Sequence, residues 1–142
     1  MKVLQILPQL NIGGVERGTL DLSKALIQKG HESFVISGGG ILVDELIQSG
    51  AKHYEIPVHI KSLRTLSLAK NLSKTISFID PDIVHVRSRM PAWVNFRAFK
   101  MLQKKPLLIS TFHGLYSFPI YSQVMSFVDH SIAISKLSLI HI

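Results

Sequence analysis

Three groups of residues in this chain are of types that do chemistry on anions. Gly13 and Gly14 stand together before a helical pattern, with Glu16 and Gly18 in its first turns. Paired glycines carry no Cβ, so a ligand can approach the backbone closely. The N–H groups that open a helix are free donors at the positive end of its dipole. A phosphate suits that corner; a plain tight turn is the other reading of the same residues. Arg87 and Arg89 flank Ser88 after an apolar run. Two guanidiniums there would grip an anion bidentately, or lie solvated on the surface. His113 follows another such run and precedes Gly114. A loop beyond a strand end is where function concentrates, and an imidazole there hydrogen-bonds or moves a proton near neutral pH.

Several other chemistries are excluded by spacing. Gly13, Gly14 and Gly18 do not make G-x-G-x-x-G, and Val15-Glu16-Arg17 stands where a P-loop has Gly-Lys-Ser/Thr. The Ser37-Gly38-Gly39-Gly40 stretch has no acidic residue at the strand end to take a ribose, and reads as a flexible loop lining a cleft. No G-x-S-x-G elbow occurs. The nearest metal-like pair, His53 and His59, has no carboxylate or thiol partner in a recognised pattern, so no metal and no cofactor are expected. His85, inside an apolar strand, reads as a satisfied buried residue.

The elements that must position these residues alternate. An apolar run at 3–7 ends at Pro8, and the helical pattern after Gly14 runs to about Lys29 and stops at Gly30. Strands are predicted at 31–37, 52–57, 83–86, 107–111 and 130–134. Helices are predicted at 41–48, 61–79, from Pro91 at its first position to about Lys105, at 119–127, and from Ser135 onward. In the short helix Ile41, Leu42, Leu46 and Ile47 fall at core spacing. The 61–79 helix carries Leu63, Leu66, Ala69, Leu72, Ile76 and Ile79 along one stripe, and Asp80-Pro81-Asp82 ends it. In the next helix Trp93, Val94, Phe96, Phe99 and Leu102 are the apolar set. The run Ile83-Val84-His85-Val86 is continuous rather than alternating, as in a parallel strand buried on both faces. Six β and α alternations predict an α/β fold, a Rossmann-like, doubly wound, mostly parallel sheet. Ligands in such sheets sit beyond the strands' carboxyl ends, where the glycine turn, Arg87, Arg89 and His113 all fall.

At 142 residues and 46% hydrophobic, the chain is one domain with a real core and is not disordered. It has no cysteine, which excludes disulfides and thiolate metal sites and fits a reducing cytosol. No signal peptide and no membrane-length apolar segment is visible. The net charge of +7 favours anionic partners. No nucleic-acid motif accompanies it, so nucleic acid is not expected. Lys61, Arg64, Lys70 and Lys74, joined by Lys100, Lys104 and Lys105, read either as ordinary surface charge or as a dock for an anionic membrane.

Taken in order, four stretches resemble the N-terminal domain of glycosyltransferase family four, which has the two-domain GT-B fold. G-G-V-E-R-G-T-L-D-L-S-K-A-L-I-Q-K-G-H-E from Gly13 is similar to its first loop, first helix and the start of its second strand. P-D-I-V-H-V, Pro81 to Val86, is similar to its fourth strand. S-T-F-H-G, Ser110 to Gly114, is similar to its histidine loop, and H-S-I-A-I-S-K, His130 to Lys136, to its last N-domain strand and turn. The resemblance covers the whole chain.

It implies transfer of a sugar from a nucleotide-sugar donor to a glycan or lipid-linked acceptor, usually with retained anomeric configuration and without a metal. The class implied is hexosyl transfer in envelope polysaccharide or lipopolysaccharide synthesis, in the cytoplasm or peripherally on the inner face of the membrane. By position, Gly13 and Gly14 would face donor phosphates or an anionic group of the acceptor, and His113 would orient the transferred sugar. Arg87 and Arg89 depart from relatives that carry a histidine and small residues there, and would hold an acceptor phosphate. The family's two glutamates separated by seven residues lie in its second domain, and no such pair occurs here. Residues 1–142 are therefore expected to be the acceptor-side domain, with the donor-binding C-terminal domain absent and little catalysis by the short chain. The alternatives are a non-catalytic anion-binding module and the remnant of a disrupted gene.

Overall fold

β1 (Lys2–Ile6) is the middle of the molecule, paired in parallel with β2 (Glu32–Ser37) on one side and β4 (Ile83–Val86) on the other. In this computed structural model, which describes residues 1–58, 67–112 and 128–133, β3 (Lys52–Glu55) extends the β2 edge. β5 (Leu107–Phe112) and β6 (His130–Ala133) extend the other. The order is β3-β2-β1-β4-β5-β6, all parallel. This is a Rossmann-like, doubly wound sheet whose strand order reverses between β1 and β4.

Among the described residues, four helices cover it. α1 (Gly14–Gln28) and α2 (Val43–Gln48) lie on one face, where Leu20 and Leu46 bury against Val35 of β2. α3 (Ala69–Ile79) and α4 (Arg89–Phe99) pack against each other on the opposite face. There Leu72, Ile76 and Val94 meet Leu4, Ile6, Val84 and Val86. β4 therefore alternates: Val84 and Val86 enter the α3/α4 core, while His85 and, just past the strand end, Arg87 face the α1 side.

Local chemistry explains the boundaries. α1 stops in a Schellman motif: His31 N–H bonds Leu26 O at 2.9 Å and Gly30 N–H bonds Ile27 O at 3.0 Å, with Gly30 at φ +85°. α3 stops where Asp80 takes a left-handed φ of +51°, which a short polar side chain tolerates, and Pro81 follows. Asp82 then ties the start of β4 to that of β1, its Oδ2 accepting Lys2 N–H at 2.7 Å.

The predicted strands all form, with ends moved by one or two residues. Three readings change. Ile41 and Ile47 are exposed, not core, because α2 begins only at Val43 and turns Leu46 inward instead. α4 begins at Arg89 behind Ser88, so Pro91 is its third residue, still within the turn whose N–H groups lack helical partners. The Gly38–Gly40 stretch is pinned rather than loose: Gly38 N–H bonds Pro8 O, Leu10 N–H bonds Gly39 O and Leu42 N–H bonds Leu10 O, each at 2.8 Å. The 61–79 helix is described from Ala69 on. The predicted helices at 119–127 and after Ser135 lie outside the described residues.

Candidate functional site

Where the strand order reverses, the carboxyl end of β4 opens onto a cleft of about 640 Å³. Gly14 and Gly18 of α1 form one wall, and His85 of β4, Arg87 directly after it, and Thr111 and Ile132 of β5 and β6 form the other. Strand alternation brings His85 and Arg87 to the same face.

Arg87 is the centre of this arrangement. It is only 8% exposed. Its Nε donates to Gln5 Oε1 at 2.8 Å, and among the described residues no carboxylate pairs with it. Burial pushes the guanidinium below its ordinary pKa, the direction expected for a cation taken from water without a counter-charge. Arginine nevertheless stays protonated in proteins. A buried cation that lines a cleft, with no carboxylate partner among the described residues, gains most from an incoming anion. Gly18 lies against it: a Cβ on Gly18 would make ordinary contact, 3.7 Å from Arg87 Nη1, so only a longer side chain would displace the guanidinium. Below, Gln5 Nε2 donates to Thr19 O at 3.2 Å and to Ser23 Oγ at 3.1 Å, and Ser33 Oγ donates to Ser23 Oγ at 2.9 Å. His85 Nε2 shares a hydrogen bond with Thr111 Oγ1.

The two predicted glycines behave differently. Gly14 lines the cleft, and a Cβ there would meet nothing within 4 Å. Gly13, the residue before α1, is extended, and the Glu16 carboxylate folds back over it to within 2.3 Å of where a Cβ would stand. The dipole end thus already has a carboxylate beside it. Arg89 opens α4 and is not among the residues lining this cleft. His113 lies outside the described residues.

His53, half-buried, shares a hydrogen bond of 2.7 Å with Ser37 Oγ, which also accepts Gly39 N–H at 3.1 Å. Burial holds its imidazole below the ordinary range, opposed by the Glu55 carboxylate. Among the described residues no group of three histidine, cysteine or acidic side chains is placed to hold a metal.

Sequence reasoning missed Gln5, Gly18, His85 and Thr111 as parts of one site. A period-two reading of β4 puts His85 beside Arg87, and a glutamine in the middle of an apolar central strand is itself a signal. Nothing local says that Gln5 meets a residue 82 positions away.

A Rossmann-like, doubly wound sheet of this strand order is one half of a GT-B architecture, and the comparisons agree with that fold. The chain is similar to a glycosyltransferase from Rickettsia africae ESF-5, with 35% identity and a TM-score of 0.81 over 99% of this chain and 38% of that one. The apo form of the lipopolysaccharide outer core galactosyltransferase WaaB matches at 18% identity and a TM-score of 0.77, over 99% of this chain and 41% of that one. The WaaB likeness shows the fold alone. Comparison with curated proteins gives no match. Residues 12–138 match Glycosyltransferase Family 4. The chain belongs to that family and spans about two fifths of the length of these solved relatives.

Proposed function

We propose that this chain is the acceptor-side half of a sugar-transferring site, and that the cleft beside α1 binds an anionic phosphate group. The observation that carries the reading is Arg87, a buried guanidinium without a carboxylate partner among the described residues, opening beside the bare backbone of Gly14. Sugar transfer from a nucleotide-sugar leaves a nucleoside diphosphate, and fixed donors aimed at its developing charge lower the barrier. Arg87, the first N–H groups of α1 and Gly13–Gly14 would receive either that diphosphate or a phosphate on a glycan or lipid-linked acceptor. His113 keeps the role implied by the family resemblance, hydrogen bonding to the transferred sugar. The donor is held by the family's C-terminal domain, so transfer by residues 1–142 alone is expected to be slight. An acceptor from envelope glycan synthesis suits a domain of net charge +7.

Titration with inorganic pyrophosphate and with UDP, followed by heteronuclear NMR, tests the cleft. Amides of Gly14 and Gly18 and the Arg87 side chain should shift together, and Arg87→Met should weaken binding roughly tenfold or more, the worth of a charge-assisted hydrogen bond. Gly14→Val should keep the fold and crowd out the anion. Shifts confined to other surfaces would overturn the reading. Activity restored by adding a separate donor-domain chain would favour a module that works in trans.

A second surface supports contact with an anionic membrane. Lys70, Lys74 and Phe78 lie four residues apart along the exposed side of α3, with Phe78 79% exposed. Lys104 and Met101 border the same groove as Lys74. Among the described residues no helix is long and apolar enough to cross a membrane, so the contact would be peripheral. Co-sedimentation with anionic but not neutral vesicles is expected. Equal binding to both would refute the electrostatic part.

A further inference from the structure

Gln5 is fully buried near the carboxyl end of β1, and its amide is committed in one direction. Thr19 O is a carbonyl and only accepts, so Nε2 must point at α1; Arg87 Nε–H only donates, so Oε1 must point at Arg87. The glutamine is thus a strut between the helix whose first turn borders the cleft and the guanidinium on its far wall. Ser23 and Ser33 continue the strut to β2. An arginine side chain has four torsions and loses much rotamer freedom on binding unless it is already held. Fixing it through Nε leaves the two terminal nitrogens for a ligand.

We infer that Gln5 is a positioning residue: it sets the Arg87 guanidinium in advance for an anion and holds it in one frame with the start of α1. The inference rests on the reading that Arg87 receives the anion. Immobilising one such side chain beforehand is worth about threefold to tenfold in affinity.

The test compares the chain with Gln5→Met, Gln5→Glu, Arg87→Met and the Gln5/Arg87 double methionine variant. Inorganic pyrophosphate is the probe, calorimetry gives the affinity, and thermal unfolding is recorded for each protein. Gln5→Met should weaken binding threefold to tenfold and expose the Arg87 Nε proton to faster solvent exchange by NMR. It should weaken binding no further once Arg87 is methionine. Gln5→Glu sets a carboxylate against the guanidinium and should weaken binding more than Gln5→Met does. It also serves if the methionine variant does not fold, since it preserves the shape. Wild-type affinity in a folded Gln5→Glu or Gln5→Met protein, or additive losses in the double variant, overturns the inference while leaving the anion site standing. Unchanged affinity in Arg87→Met, or no binding by the parent chain, overturns the anion reading and the inference with it.

Discussion

Gly40 should be the least replaceable glycine of the sheet's carboxyl edge, and Gly30 supplies the control. Both have positive φ, +146° and +85°. Alanine at either position carries that strain, about 1–2 kcal/mol. At Gly30 nothing lies within 4 Å of the added Cβ, so strain is the whole cost. At Gly40 the Cβ would stand 2.5 Å from both the carbonyl carbon and oxygen of Leu10 and 2.7 Å from Asn11 Oδ1. Carbon atoms rest at roughly 3.5 Å or more, so Leu10 must retreat by about 1 Å. Leu10 is fully buried and held by the two 2.8 Å bonds to Gly39 O and Leu42 N–H. Losing those adds about 1 kcal/mol each. Gly40→Ala should therefore cost about 3–4 kcal/mol against about 1–2 for Gly30→Ala. For a chain of this length the difference is about 5–8 °C in Tm. Far-UV circular dichroism melts of the two variants, side by side, decide it. Because residues 8–12 lead directly into the Gly13–Gly14 turn, pyrophosphate affinity should also fall in Gly40→Ala and hold in Gly30→Ala. A Gly40→Ala protein that melts with or above Gly30→Ala refutes the packing argument.

Gly18→Ala should raise Tm by a few degrees and keep anion affinity, since helix propensity improves by about 1 kcal/mol and 3.7 Å to Arg87 is ordinary contact. Gly18→Leu should drive the guanidinium aside and lose affinity in the same titration. Glu16→Gln removes the carboxylate beside Gly13 and should raise pyrophosphate affinity about twofold to fivefold; a fall in affinity would show that Glu16 helps rather than competes. Burial keeps His53 neutral where the unfolded chain, with a histidine pKa near 6.5, takes a proton. Stability should therefore be full above that value and be lost as pH falls from it through the lower folded value. His53→Gln should flatten that slope in denaturant titrations at a series of pH values, and an unchanged slope would remove His53 as its source. With the donor half present, His113→Ala should lower turnover by one to three orders of magnitude, about what one oriented polar contact contributes; near-normal turnover takes His113 out of the site.

Much of the scaffold was legible before folding was considered. Continuous apolar runs marked the parallel strands, and Gly30 and Asp80-Pro81 marked the helix ends, because these signals act within one turn of chain. The reading was weaker wherever phase mattered. Ile41 and Ile47 looked like core because their spacing suits a helix two residues longer than α2. The β4 run reads as buried on both faces and is, His85 included, but burial alone does not join His85 to Arg87, which alternation sends to the α1 side with it.

The α/β alternation, the glycine turn at a helix start, the cationic character and the family resemblance are all written in neighbouring residues, so they can be read from the chain before it folds. Which polar groups share a site emerges only when the strands are laid side by side. Placing β4 beside β1 brings Arg87 to Gln5 across 82 residues, and laying α1 over that junction supplies Thr19, Ser23 and the bare backbone of Gly14 and Gly18. That convergence comes from strand order and the crossover of α1, and a buried amide or guanidinium has no local sequence signature for the partner it will meet.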